Sequence, residues 1–310
     1  MKERTIRVGR PVPLIGVICE PDKVDVSRPA VLIFNSGVMH HIGSCRLSVK
    51  LARSFAAKGV LSIRFDFSGI GDSAARRGVK PFSETAPLEA AEVMDYLQQK
   101  RGIKKFILYG LCSGADAAYE TALVDDRVVA YSQIDAYCYK TPLFYYYFYS
   151  PKLFKLDRWV NLFRRLMKKK LSLKKPIDNS EEEKNERYLE AVSYIREFPP
   201  KNVVRAGLNS LINRGLFMNI IFTAGEDDYG YRNQYRDSFS DIDFGQHLEL
   251  HYFDTATHIM SHPSHQRLVV EIITQWLVDV IKKMEKEKLE KVGSSDCVLL
   301  RQSEKLNECL

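Results

Sequence analysis

Residues 30–34 (AVLIF) form an unbroken apolar run, the pattern of a strand covered on both faces. Similar runs recur at 60–66 (VLSIRFD), 104–109 (KKFILY), 127–134 (RVVAYSQI), 218–223 (MNIIFT) and 248–253 (LELHYF). Stretches of helical spacing separate the first of them. Leu47 to Lys58 is one, stopping at Gly59 in a C′ position. Residues 84–99 are another, with Leu88, Ala91, Met94 and Leu97 as its apolar stripe, and residues 115–124 a third. Residues 12–18 (VPLIGVI) predict a strand that closes an N-terminal hairpin, and a final helix is expected from Ser264 to about Lys288. Alternating strands and helices predict an α/β fold, a mostly parallel sheet with helices on both faces.

That rhythm breaks near Asp135 and resumes at residue 218. In between lie an aromatic run (LFYYYFY, 143–149), a basic stretch, an acidic stretch and Pro199–Pro200. Residues 1–134 and 216–290 are therefore expected to make one core, 135–215 a helical cap or lid, and 291–310 a disordered tail. A length of 310 residues suits one α/β core plus an insertion.

Charge sharpens this division. The net charge is +7, yet Pro151 to Lys175 holds ten Lys or Arg and one Asp, a local +9. The remainder is near neutral, which argues against a nucleic-acid-binding face. Leu156, Trp159, Phe163 and Leu166 follow helical spacing among those basic residues. An amphipathic cap helix packed on the core fits this pattern. So does a lid that makes peripheral contact with an anionic membrane or carrier. Tyr145 and Trp159 are candidate substrate contacts within the segment.

Six cysteines are present and none forms a CxxC pair, so no zinc or redox pattern is read and no metal or organic cofactor is expected. The first residues, MKERTIRVGR, lack an apolar targeting core, and no run reaches eighteen apolar residues. A reducing, cytoplasmic location is the expectation.

The most informative segment is LYGLCSGADAA. Gly110-Leu111-Cys112-Ser113-Gly114 is G-x-Nuc-x-G after a strand and before a helix. A nucleophile on such a strained turn needs glycines on either side, and a helix N-terminus favours a thiolate. Centring on Ser113 would replace those flanks by Leu111 and Ala115, so Cys112 is the expected nucleophile and the Ser113 amide an oxyanion donor. After MNIIFT comes AGEDDYGY, where G-x-x-D spacing selects Asp228 and the shorter G-x-D selects Asp227. After LELHYF comes DTATHIMSHPSH, where His258 precedes the last helix; His262 and His265 compete but stand at the helix entry beside Pro263.

Together, NSGVMHHIG, RFDFSGIGDS, GLCSGAD, TAGEDDYGYRNQY and ATH resemble the α/β-hydrolase superfamily, in its serine-aminopeptidase-like group. They are most similar to bacterial hydrolases associated with exosortase and surface-polysaccharide gene clusters. The resemblance covers about residues 30–134 and 216–280. It implies an α/β-hydrolase fold and a triad of Cys112, Asp228 and His258 in that chain order. It also places Ser36-Gly37-Val38 at the oxyanion loop, making the Val38 amide the second donor, with Arg46 on the same loop as a further candidate substrate contact. A cysteine nucleophile is shared with dienelactone hydrolases and polyhydroxyalkanoate synthases. The expected activity is hydrolysis of an ester or thioester, on a small-molecule or carrier-bound acyl substrate, through a covalent acyl-enzyme. Two alternatives stay open: acyl transfer to an alcohol or amine, and a catalytically silent binding protein on the same scaffold.

Overall fold

The computed structural model describes residues 1–76, 81–153, 196 and 198–307. Eight strands make one sheet: β1 (Lys2–Val8), β2 (Leu14–Glu20), β3 (Ala30–Ile33), β4 (Ser62–Phe65), β5 (Phe106–Leu111), β6 (Val128–Ile134), β7 (Phe217–Thr223) and β8 (Leu248–Phe253). Their order is β1-β2-β4-β3-β5-β6-β7-β8. β1 pairs antiparallel with β2, and β2 with β4; from β4 onward every pairing is parallel. The central strands β3, β4, β5 and β7 are buried at every position, as their unbroken apolar runs require.

The helices divide between the two faces. α1 (Leu47–Ala57) and the last helix, α7 (Pro263–Asn307), share a core with Ile33, Tyr109 and Ile221. Ile273 and Leu277 of α7 are fully buried there, each worth about 1.5–3 kcal/mol of transfer free energy. On the opposite face α2 (Phe82–Arg101), α3 (Ser113–Val124) and α5 (Lys201–Asn213) pack on Leu32, Leu108 and Ile220. α4 (Pro142–Leu153) and the short α6 (Gln234–Ser238) complete the described helices.

Three segments add detail to the sequence reading. α5 falls within residues 135–215, yet Val204, Leu208 and Leu211 belong to the core, and Tyr119 Oη donates to the Val204 carbonyl at 3.1 Å. It is a layer helix whose apolar face packs beside α3. α7 runs on through residue 307 where a disordered tail was expected; that stretch contains no proline to stop a helix already nucleated by its packed first half. Leu88 is exposed, since the buried stripe of α2 runs through Ala86, Ala90, Val93, Met94 and Leu97 instead. The basic stretch with Trp159 lies outside the described residues.

The register of the parallel strands is what positions a site. Leu111 pairs with Ile134, Ile134 with Ile221, and Thr223 with Phe253. The residues that follow these strand ends therefore emerge side by side at one carboxyl edge of the sheet, where α/β folds place their chemistry.

The turn after β5 depends on two glycines. A Cβ on Gly110 would overlap the Gly114 carbonyl, and a Cβ on Gly114 would overlap the Asn35 carbonyl. Both obstacles are backbone and cannot swing aside. Gly114→Ala is expected to destabilise the fold by about 1–3 kcal/mol, the usual cost of overpacking. Urea unfolding should show a lower midpoint at unchanged m-value; an unchanged midpoint would mean the turn relaxes freely.

Candidate active site

Cys112 stands alone between β5 and α3 with φ 56° and ψ −122°, a left-handed strain rarely accepted by a non-glycine residue. Its amide donates to the Ile134 carbonyl at 2.9 Å, and its carbonyl accepts from Ala115 at 2.8 Å and Asp116 at 3.1 Å. The backbone is thus fixed on both sides, and the half-buried thiol is held at the N-terminus of a twelve-residue helix.

His258, in the loop between β8 and α7, reaches that thiol. Its Nδ1 lies 2.6 Å from Asp135 Oδ2, which leaves Nε2 for its hydrogen bond with Cys112. The hydrogen bonds with Asp135 and then Cys112 push the imidazole up to about 10, against the opposing effect of burial. Asp135 follows directly on β6, also with positive φ (52°), and is fully buried. Its Oδ1 accepts from the Thr223 amide at 2.7 Å and its Oδ2 from the Thr223 hydroxyl at 2.9 Å. Its own amide donates to the Ile221 carbonyl at 2.8 Å.

Asp228 is not the partner of His258. Its Oδ1 pairs with Lys140 Nζ at 2.6 Å, and the side chain is partly open to solvent. Asp227 is exposed. The physical reason is register: β6 ends level with β5, so the residue after Ile134 already stands beside the nucleophile turn, whereas Asp228 lies five residues beyond the end of β7. The only signal for Asp135 in the sequence was an acidic residue abutting the strand VVAYSQI. The carboxylate of the β7 loop that does come near is Glu226, whose oxygen lies within 4.8 Å of ligand atoms of both Asp135 and His258. The competing histidines stay apart, His262 on the Ser264 hydroxyl and His265 near Thr255.

The loop after β3 lies across the elbow. The Gly37 amide donates to Ser113 Oγ at 2.7 Å, so the Ser113 side chain pins this loop. Among the described residues, neither the Val38 nor the Ser113 amide has a hydrogen-bond partner. Beneath the loop Asp66 is fully buried. Burial opposes its charge, but bonds from His41, the Asp72 amide and Asn35 prevail and hold the carboxyl below its usual range. Arg46 is exposed with a left-handed backbone, and Tyr145 is exposed on α4. The Tyr145 ring lies edge-on to Phe144 at 5.5 Å.

Among the described residues, two groups bring potential ligand atoms within 4.8 Å of one another: His40, His41, Asp66 and Asp72, and Asp135, Glu226 and His258. In each, imidazole and carboxylate are already hydrogen-bonded together, and neither is assigned as a metal centre.

This is the α/β-hydrolase fold. Among solved structures the chain is similar to mouse alpha/beta hydrolase domain-containing protein 10 at 12% identity and TM-score 0.52, covering 90% of this chain and 100% of that one. It is also similar to a dienelactone hydrolase from Anabaena variabilis at 11% identity and TM-score 0.53, covering 90% and 97%. A third is Est1E from Butyrivibrio proteoclasticus, at 14% identity and TM-score 0.52, covering 89% and 98%. Comparison with protein-family models finds no match, and comparison with curated proteins finds none either. Among the described residues no helix is long and apolar enough to cross a membrane.

The raised imidazole ties stability to pH. A group whose folded value, about 10, exceeds its ordinary 6.5 stabilises fully below 6.5 and loses that contribution as pH rises toward 10. Denaturation midpoints should therefore fall across that window. Asp135→Asn should flatten the decline, because it removes the largest cause, while Asp228→Asn should leave the slope alone. Equal slopes in Asp135→Asn and wild type would contradict this pairing.

Proposed function

We propose that this chain is a hydrolase of esters or thioesters in which Cys112, His258 and Asp135 act as nucleophile, base and orienting acid. One observation carries the reading: a continuous hydrogen-bonded chain from thiol to imidazole to buried carboxylate, on a strained turn at a helix N-terminus. His258 takes the thiol proton as sulfur attacks the substrate carbonyl. The tetrahedral oxyanion is received by the Val38 and Ser113 amides. As the intermediate collapses, the carbon–oxygen or carbon–sulfur bond breaks and His258 protonates the leaving group. Water, deprotonated by His258, then attacks the thioester and releases acid and free thiol. Asp135 keeps the imidazole in the tautomer and orientation that each transfer needs.

The likeness of NSGVMHHIG, RFDFSGIGDS and GLCSGAD to hydrolases of exosortase and surface-polysaccharide clusters supports a small or carrier-bound acyl substrate. Cys19, Cys45, Cys112 and Cys138 are all free, which suits a reducing compartment such as the cytoplasm. Contact with an anionic membrane through the basic stretch remains part of the proposal; it rests on residue charge alone.

Incubation with p-nitrophenyl acetate should add one acetyl group to Cys112, seen by peptide mass mapping, and release product with turnover. Cys112→Ala should abolish both. Asp135→Asn should lower kcat by roughly 10⁴, by analogy with the tautomer effect in serine proteases. Asp228→Asn should change it little. Absence of any adduct on wild-type Cys112 would instead indicate a silent binding protein, and acetyl appearing on an added alcohol would indicate a transferase.

Removing a donor of the oxyanion site typically costs 10²–10³ in kcat. Ser113→Ala keeps the Ser113 amide but releases Gly37, so a smaller loss, about tenfold, is expected. Steady-state kinetics check this, and full activity would show that the loop needs no anchor.

A further inference from the structure

Arg196 is largely buried. Its guanidinium is divided among three elements around the site. Nε and Nη2 grip Asp116 Oδ2 and Oδ1, each at 2.6 Å, in a bidentate fork. Nη2 also donates to the Asp135 carbonyl at 2.8 Å, and Nη1 reaches Glu226 Oε2 at 3.4 Å. The rings of Phe198 and Tyr137 lie 4.7 and 5.5 Å from its central carbon and fix the plane.

Asp116 is in the first turn of α3, four residues after Cys112. One rigid cation therefore spans the helix turn that carries the thiol, the backbone that carries the acid, and the β7 loop. The charges around it are Asp116, Asp135, Glu226, Cys112 and His258, with Glu120 behind Asp116 and the Lys140–Asp228 pair farther out. Burial pushes Asp116 up to about 6, restrained by Arg196, and burial likewise raises Glu226, which Arg196 opposes. Without Arg196, Asp116 would lose its fork, and Glu226 would stand beside the Asp135–His258 pair with no cation facing it.

Resting on the triad proposed above, we infer that Arg196 is its positioning residue, locking the Cys112 turn to the Asp135 backbone and screening the Glu226 carboxylate from the thiol. Two effects separate. The fork sets distance, and a point charge does not reproduce it. The positive charge favours the thiolate, and any cation placed there restores part of that effect.

The test compares Arg196→Met, Arg196→Lys, Glu226→Gln and the Arg196→Met/Glu226→Gln pair. Each is assayed for p-nitrophenyl acetate turnover against pH, and for Cys112 alkylation by iodoacetamide against pH using peptide mapping. Arg196→Met is expected to lower kcat roughly 100-fold, the scale of a misplacement near 1 Å, with KM within about threefold. Its acid limb should move about one pH unit alkaline. Arg196→Lys should recover the limb but not kcat. In the double variant the limb should move back toward wild type, because the unscreened carboxylate is gone. If Arg196→Met does not fold, Arg196→Lys and Glu226→Gln carry the same comparison. Unchanged kcat and pH profile in a variant that only unfolds more easily would overturn the proposal and leave a structural ion pair. Alkylation needs no turnover, so it still reports on Arg196 if wild-type Cys112 proves never to be acylated; that second result would sink the proposed function instead.

Discussion

The hydrogen bond between Asp135 Oδ2 and His258 Nδ1 is the interaction on which the candidate site depends. It joins the end of β6 to a loop 123 residues later in the chain. Both of its ends are set by the sheet. Asp135 is oriented by the Thr223 amide and hydroxyl and by its own bond to Ile221, so its carboxylate is held by β7. Parallel register between β6 and β7 is therefore a precondition of this pairing as well as of the fold. A slip of one residue would turn Asp135 to the other face and leave a buried carboxylate without its donors.

The Cys112 end of the candidate site is governed by backbone crowding. Cys112 sits where two carbonyls, those of Gly114 and Asn35, exclude any side chain from its flanking glycines. The same proximity lets Ser113 hold Gly37 and bring the loop after β3 over the turn. Asp66 then fixes that loop from below through His41 and Asn35. Strain at φ 56° is tolerated because the Cys112 amide and carbonyl are both pinned.

Much of this was legible in the residues. Unbroken apolar runs marked the buried strands, and the symmetric glycines singled out Cys112. His258 was legible because strand, loop and helix bracket it. The acid was not. Local spacing ranks carboxylates within one loop, but it does not say which strand end stands beside the nucleophile; that follows from the pairing of Ile134 with Leu111 and Ile221. Asp228 had the expected spacing and was claimed by Lys140. Arg196 was equally hidden, because its partners come from positions 80, 61 and 30 residues away. α5 read as part of a cap because aromatic, basic and acidic stretches precede it, although its own apolar face is that of a core helix.

Two strand ends offer a carboxylate to His258, and the environment decides between them. Asp135 receives a backbone amide and a hydroxyl in addition to the imidazole, so its negative charge is compensated by fixed donors despite complete burial. Glu226 is also largely buried, but its contact with Arg196 is long, at 3.4 Å, and desolvation raises it despite a backbone bond from Asp228. A carboxylate fixed by donors of the sheet holds an imidazole in one orientation, whereas one on a loop with a long ion-pair contact is free to turn. Which carboxylate pairs with His258 thus follows from which oxygen atoms Thr223 of β7 can solvate. It places the charge of this site on the most rigid part of the molecule, where the loops that meet it have only to bring the imidazole and the thiol within reach.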